Sequence, residues 1–187
     1  MSRNESARSL SVAQRVAPHR HAEAAHIREV EMLNAEGASS EAGSTWEVFT
    51  TDAPELARRV RARFTSNLHH VIGTLRPNGA PRLSGTEVDI GPDGVRIGMM
   101  AGSRKLADVR RDPRVEVHSA PLEENLAEGD AKLAGRLVEV DSGEPEHAGA
   151  GRFELVLELV SLVRVDGDEL VFATWQPGRG ERQTRRR

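Results

Sequence analysis

The chain contains no cysteine, no tyrosine and few other aromatic residues, since only 3% of its 187 residues are aromatic. Without cysteine it has no disulfide framework, no thiolate metal ligand and no thiol nucleophile. Apolar residues never run for the roughly 18 positions that a membrane-spanning helix needs, and the N-terminus lacks the apolar segment of a signal peptide. We therefore expect a cytoplasmic protein with no membrane partner.

Lysine is scarce as well, because only Lys105 and Lys132 of the 26 basic residues are lysines. The formal net charge is −3, so the chain as a whole is not built to bind a polyanion. The basic C-terminus, RGERQTRRR, has no aromatic residue on which a base could stack. We do not expect a nucleic-acid partner.

The length predicts one domain with a tail. Residues 1–45 are rich in Ser, Ala, Glu, Arg and His, with one helical pattern over residues 22–33, and we predict a flexible N-terminal tail. Its histidines (His19, His21 and His26) have no acidic residue or cysteine arranged around them, so we predict no metal site. The folded domain is predicted over residues 46–182, followed by a short basic tail at 183–187.

Apolar periodicity predicts a mainly β fold. Leu56, Val60 and Phe64 recur at helical spacing, which indicates a helix with Asp52 as its cap and Pro54 in its first turn. Runs of Val, Leu and Ile separated by turn signals then predict about seven antiparallel strands, and such a meander closes into a barrel because closure removes exposed edges. The strands are predicted at residues 69–75, 81–90, 95–100, 114–120, 131–140, 154–165 and 170–176.

The segment AGSRKLADVRRDP, residues 101–113, predicts a short helix capped by Ser103 and ended by Pro113. Arg104 and Lys105 then lie in the first turn, where the helix dipole is already positive. A bound anion such as a phosphate would neutralise this end of the helix. The alternative is two surface cations, with Lys105 paired to Asp108.

The second predicted strand is unusually polar and carries Gly85 in its interior. A glycine there marks either close approach of a ligand or a solvent-facing edge strand. Met99 and Met100 precede the predicted anion site, and their thioethers suit either a flat ring or the core. His118 is either a proton donor or a structural histidine.

The stretches IGTLRPNGAPRLSGTEV, GMMAGSRKLADVRRDPRVEVHS and GDAKLAGRLVEV resemble the pyridoxamine 5'-phosphate oxidase-like flavin-binding proteins. The resemblance runs from about residue 46 to residue 182. It implies an antiparallel split β-barrel of about six to seven strands with short flanking helices. It also implies a homodimer with flavin mononucleotide (FMN), or a deazaflavin, at the subunit interface.

The resemblance further implies the residues that bind the cofactor. Its phosphate would be held by Arg104 and Lys105 beside Ser103, and the segment TWQPGRGER would approach it from the partner subunit. The implied cofactor-binding residues are Arg82, Ser84, Thr86, Glu87, Met99, Met100, Ser103, Arg104, Lys105, Trp175 and Arg182.

The chain departs from the oxidase itself, which holds its vitamin phosphate with a tyrosine that is absent here. We therefore expect a flavin- or deazaflavin-dependent oxidoreductase with another small-molecule substrate, and its catalytic residues are not identified from the sequence. The alternative is a non-catalytic carrier or sensor of flavin or haem on the same barrel.

Overall fold

The structure, a computed structural model, describes residues 43–92, 94–121, 126–140 and 149–187. The helical pattern over residues 22–33 and the three tail histidines lie outside these ranges. The helices are α1 (Trp46–Asp52), α2 (Pro54–Thr65) and α3 (Arg104–Arg111). The strands are β1 (His69–Leu75), β2 (Pro81–Glu87), β3 (Asp89–Ile90), β4 (Val95–Met99), β5 (Arg114–His118), β6 (Asp130–Glu139), β7 (Gly151–Asp166), β8 (Glu169–Gln176) and β9 (Gly180–Arg186).

The helices α1 and α2 pack their apolar faces into the core. Thr45 caps α1 by accepting a hydrogen bond from the Val48 N–H. α2 has Pro54 in its first turn and Ala53 as its N-cap, with no side-chain cap. The predicted cap, Asp52, was therefore wrong, because that residue is the last of α1 and its carboxylate is not used at the start of α2.

The arginines of α2 divide into two pairs. Arg58 and Arg59 bind Glu55 on the surface. Arg61 donates to the backbone carbonyls of Ile90 and Gly91, and the buried Arg63 donates to the Ala120 carbonyl at 2.7 Å. These side chains supply donors to backbone carbonyls at or just beyond the ends of β3 and β5. Without them, those carbonyls would lack a hydrogen-bond partner near the core.

The strands form one antiparallel sheet in the order β2-β1-β5-β6-β7-β4-β3. One edge of the long strand β7 pairs with β6, whereas its other edge pairs with β4 at the start and with β8 at the end. β9 extends the sheet beyond β8. The prediction of a mainly antiparallel β fold with short helices is confirmed. The described residues form nine strands, whereas about seven were predicted. The second predicted strand is divided into β2 and β3, and β9 was not predicted.

Gly135 allows β6 to bend across β7. The register between the two strands shifts at Ala134/Gly135, and a Cβ at position 135 would overlap the Val156 carbonyl oxygen. A glycine is therefore required at this bulge, since only a residue without a side chain permits such close approach of two backbones.

The core lies between the sheet and the helices and contains five of the six aromatic residues, whereas Phe172 is buried outside this cluster with the Arg186 guanidinium 5.5 Å from its ring centroid. Phe49 contacts both Trp46 and Trp175, with ring centroids 5.2 and 4.9 Å apart. The few aromatic residues are thus all used for packing, and none of them is on the surface. The six are Trp46, Phe49, Phe64, Phe153, Phe172 and Trp175.

Candidate functional site

A cavity of about 510 Å³ opens where β2 lies beside β4. Within the described ranges these two strands share no ladder of backbone hydrogen bonds, so the sheet is split at this point. The first turn of α3 and the start of β7 complete the walls. The lining residues are His69, Gly85, Thr86, Glu87, Gly98, Met99, Met100, Lys105, Ala150, Gly151 and Arg152.

Helix α3 begins at the cavity as the sequence predicted. Gly102 has a φ of +69°, a conformation that favours glycine and that turns the chain from β4 into the helix. The Ser103 side chain then accepts a hydrogen bond from the Leu106 N–H at 3.3 Å. The first turn has no acidic residue, so the positive end of the helix dipole is not neutralised by its own side chains.

Lys105 connects α3 with the opposite lip of the cavity. Its Nζ donates to the Gly85 carbonyl oxygen of β2 at 2.7 Å. Burial lowers the pKa of Lys105, while the Glu87 carboxylate acts in the opposite direction. A half-buried ammonium whose main hydrogen-bond partner is a neutral carbonyl is well suited to bind an anion that enters the cavity.

Two glycines leave room for a ligand between the strands. A Cβ built at Gly85 or at Gly98 would meet no atom within 4 Å. By contrast, a Cβ at Gly151 would collide with the Phe153 and Leu106 side chains, so that glycine is needed by the packing. The protein itself does not require the first two glycines, and the space beside them is available to a flat group.

A buried carboxylate anchors α3 to β1 and β2. Asp108 is only 2% exposed, and its Oδ2 accepts hydrogen bonds from Arg82 Nε at 2.6 Å and from Thr74 Oγ1 at 3.0 Å. Arg111 donates to the other carboxylate oxygen and to the Leu75 carbonyl. Arg82 was predicted to bind the cofactor, but its guanidinium is directed to Asp108 and does not line the cavity.

Four ionisable side chains line the cavity, namely those of Lys105, His69, Glu87 and Arg152. His69 is on β1 and Glu87 is opposite it on β2, with His69 Nδ1 4.0 Å from Glu87 Oε1. Arg152 is at the start of β7, opposite Gly98 of β4. The sequence reasoning did not identify His69 or Arg152 as site residues. Because His70 is buried, strand alternation could have indicated that His69 faces outward, toward the cavity. Arg152, by contrast, reaches the cavity only because β7 pairs with β4.

The structure brings part of the predicted cofactor set together. Thr86, Glu87, Met99, Met100 and Lys105 line the cavity. Ser103 and Arg104 immediately precede Lys105, and Arg104 is exposed. The predicted residues that do not line the cavity are Arg82, Ser84, Ser103, Arg104, Trp175 and Arg182.

The C-terminal members of the predicted set lie in β8 and β9. Trp175 is 0% exposed and packs on Phe49 in the core, so it has no surface that a second subunit could contact. Arg182 is exposed on β9 and pairs with Thr174 of β8.

A second, more apolar hollow lies on the outer face of β1, β2 and β5. Its walls include Val71, Gly73, Leu83, Pro81 and His118, and the Leu83 side chain is 75% exposed. His118 therefore belongs to this hollow and not to the cavity beside Lys105. Its Nδ1 lies 2.6 Å from the Ser119 carbonyl oxygen.

The described residues contain no group of three or more His, Asp or Glu side chains placed to hold a metal ion. None of the three described helices combines the length and the apolar character that crossing a bilayer requires.

Comparison with known proteins identifies the fold. No family model and no curated protein matches the sequence. PhzG from Burkholderia lata, solved in complex with tetrahydrophenazine-1-carboxylic acid, superposes with a TM-score of 0.56 at 12% identity, over 81% of this chain and 96% of that chain. A pyridoxamine 5'-phosphate oxidase-related, FMN-binding protein from Nostoc punctiforme has a TM-score of 0.53 at 12% identity, over 72% and 96% of the two chains.

A haem-binding protein from Mycobacterium smegmatis has a TM-score of 0.51 at 13% identity, over 71% of this chain and 88% of that chain. At such low identity these similarities establish the architecture and not the ligand. The described part of the chain therefore has the split-barrel fold, on which one similar protein binds FMN and another binds haem.

Proposed function

We propose that the chain is an oxidoreductase that binds FMN, or a deazaflavin with the same phosphate group, in the cavity between β2 and β4. The observation that carries the proposal is Lys105, a half-buried ammonium at the start of α3, inside a cavity whose facing strands carry Gly85 and Gly98. The backbone at these glycines would lie against the flat ring system, and the helix end would hold the phosphate. When bound, the flavin supplies the hydride chemistry.

The residues of the chain would contribute binding, orientation and a proton. Lys105 would bind the phosphate together with Arg104 and the free first-turn N–H groups of α3. The Arg82–Asp108 pair fixes the position of α3 against β2. His69 lies on the cavity wall with the Glu87 carboxylate nearby, and an imidazole at this place can hold the proton that accompanies hydride transfer.

The test uses the two lysines of the chain. Purified protein is mixed with FMN, and the dissociation constant is measured from the change in the polarisation of flavin fluorescence. Lys105→Ala is expected to weaken FMN binding by about tenfold or more, because a charge-assisted hydrogen bond to phosphate is lost. Lys132→Ala is the matched control, since Lys132 lies on β6 near Glu116 and outside the cavity.

Equal FMN affinity of the Lys105→Ala and Lys132→Ala variants would remove the phosphate-binding assignment. Riboflavin provides the second arm of the test, since it lacks the phosphate and its affinity is expected to be the same for native protein and Lys105→Ala. Turnover with reduced nicotinamide or reduced deazaflavin then distinguishes an enzyme from a carrier.

A haem carrier is the second candidate function, and His69 is the observation that favours it. Among the described residues His69 is the one imidazole on the cavity wall, and imidazole is a common axial ligand of haem iron. A Soret band after addition of haem, lost in His69→Ala, is the expected result for this function. A flavin spectrum that His69→Ala leaves in place is the expected result for the first.

We also propose that a second copy of the chain covers the apolar outer face of β1 and β2. Val71 and Leu83 are exposed on this face, and neighbouring residues of the same two strands, His69 and Glu87, line the cavity. A subunit packed there would shield apolar side chains from water and would narrow the cavity opening.

A further inference from the structure

Arg152 stands on the cavity wall formed by the start of β7. In the β4–β7 ladder it is the partner of Gly98, which has no side chain to cover it. Arg152 is exposed and lines the same cavity as Gly98. This wall belongs to a different element from α3, whose first turn carries the proposed phosphate site.

Among the described lining residues, Lys105 and Arg152 carry two positive charges against the single carboxylate of Glu87. Glu87 is the one carboxylate among the lining residues, and it faces His69 at 4.0 Å and also acts on Lys105. Within the described ranges Arg152 has no carboxylate at ion-pair distance. On the same face of the β4–β7 ladder, Arg96 and Glu154 occupy paired backbone positions. Arg152 therefore presents its guanidinium to the cavity without a described counter-charge.

We infer that Arg152 binds the anionic group of the reacting small molecule, so that the substrate is an organic carboxylate or phosphate. The inference rests on the proposed function, because it assumes that the flavin phosphate is at α3 and leaves Arg152 for a second anion. A guanidinium is suited to this role, since its planar N–H groups match the two oxygens of a carboxylate or phosphate.

The cavity volume of about 510 Å³ is within the range of sites that enclose a small ligand. The space beside Gly98, between Met100 and Arg152, is where the ring of the cofactor and the substrate would meet. The substrate would then approach the ring with its anionic end held at β7.

The experiment titrates FMN-loaded protein with three probes of similar size. Benzoate and phenyl phosphate carry an anionic group, and benzamide is their neutral counterpart. Binding is followed by calorimetry and by the perturbation of the flavin absorption band. Native protein is expected to bind the two anions about tenfold or more tightly than benzamide, as a hydrogen-bonded charge pair implies.

Three variants assign the preference to one side chain. Arg152→Gln is expected to abolish the preference for anions while changing the FMN dissociation constant by less than about twofold. Arg152→Lys is expected to retain part of the preference, because it keeps the charge and loses the planar geometry. Arg136→Gln is the matched control, since Arg136 is exposed on β6, pairs with Glu158 at 2.7 Å and does not line the cavity.

The outcomes separate this inference from the proposed function. FMN binding without any preference for anions overturns the inference alone, as does a preference that Arg152→Gln leaves intact. Loss of FMN affinity in Arg152→Gln, as large as that in Lys105→Ala, assigns Arg152 to the cofactor and also overturns the inference. Failure of native protein to bind flavin overturns the proposed function and this inference with it.

Discussion

Asp108 holds together the residues that support the candidate site without lining it. Its carboxylate is bonded to Arg82, Thr74 and Arg111, which belong to β2, β1 and α3. Removing one member of such a buried ion pair leaves the other charge without compensation. The fold and the site therefore share this group, since the bonds of Asp108 join α3, which carries Lys105 at the cavity, to β1 and β2.

Replacing Asp108 by Asn is expected to lower the free energy of unfolding by about 3 kcal/mol, because Arg82, whose side chain is only 18% exposed, loses its counter-charge. Urea denaturation of the native and variant proteins measures the difference. Asp166→Asn is the control, since that carboxylate pairs with Arg164 and Arg185 at the surface, where removing an ion pair has little effect. Equal stability of native protein and Asp108→Asn would show that the pair does not hold α3.

The effect of Asp108→Asn is also expected to depend on pH. The hydrogen bond from Arg82 lowers the pKa of Asp108 despite its burial. The unfolded chain therefore takes up a proton at this carboxyl at higher pH than the folded chain does. The stabilisation by the Asp108 carboxylate is complete above its unfolded pKa and is lost as the pH falls through its folded pKa. The difference in stability between native protein and Asp108→Asn should therefore shrink on acidification. A difference that stays constant down to the acid transition would contradict this assignment.

At the scale of elements, the parts predicted best are those with a strong local pattern. β1 and α3 were placed correctly, because alternating apolar residues mark the first and the Ser103 cap marks the second. The cap of α2 was missed because Pro54 permits a helix start with no side-chain cap. β9 was missed because six of its seven residues are exposed and its pairing with β8 provides the order that its own sequence does not indicate.

Only Lys105 among the residues on the cavity wall follows from a local pattern, the Ser103 cap and the cationic first turn of α3. The family resemblance, and not the local pattern, implied Thr86 and Met99 as cofactor-binding residues. The placement of Arg152 depends on the register of β7 against β4, which is set by pairing between distant segments. The role of Arg82 depends on a carboxylate 26 residues away, and no local pattern reveals such a partner.

The strand glycines serve two different purposes: Gly135 is needed for packing, whereas Gly85 and Gly98 border the proposed ligand site. Gly135→Ala is expected to lower the free energy of unfolding by about 2 kcal/mol or more, because the new Cβ overlaps the Val156 carbonyl in the β6–β7 ladder. Gly85→Ala and Gly98→Ala are expected to leave stability unchanged, since their Cβ atoms would occupy open space. Both should weaken FMN binding by about tenfold, because that space is the proposed ring site.

Thermal unfolding and FMN titration on the same three variants check both parts of this expectation. The ring-site proposal would be contradicted by Gly85→Ala and Gly98→Ala proteins that bind FMN as tightly as native protein does. An unchanged melting temperature for Gly135→Ala would contradict the account of the bulge.

At the scale of the whole molecule, the proposed dimer depends on the apolar face of β1 and β2, where Val71 and Leu83 are exposed. Leu83→Arg is expected to convert a dimer into a monomer, because a charge would have to be buried in the interface. Sedimentation measures the mass, and FMN affinity is expected to fall together with dimerisation. Leu68→Arg is the control, since Leu68 is also exposed, at 65%, but lies between α2 and β1. A native protein that sediments as a monomer at micromolar concentration would overturn the dimer.

The burial of all six aromatic rings has an optical consequence. Phenol and indole side chains quench flavin emission efficiently when they stack on the ring, but this chain has no tyrosine and keeps both tryptophans in its core. The chain itself therefore brings no quencher to the cavity wall. A flavin bound against glycine and methionine there would keep its emission, and the polarisation of that emission would report occupancy without any label attached to the protein.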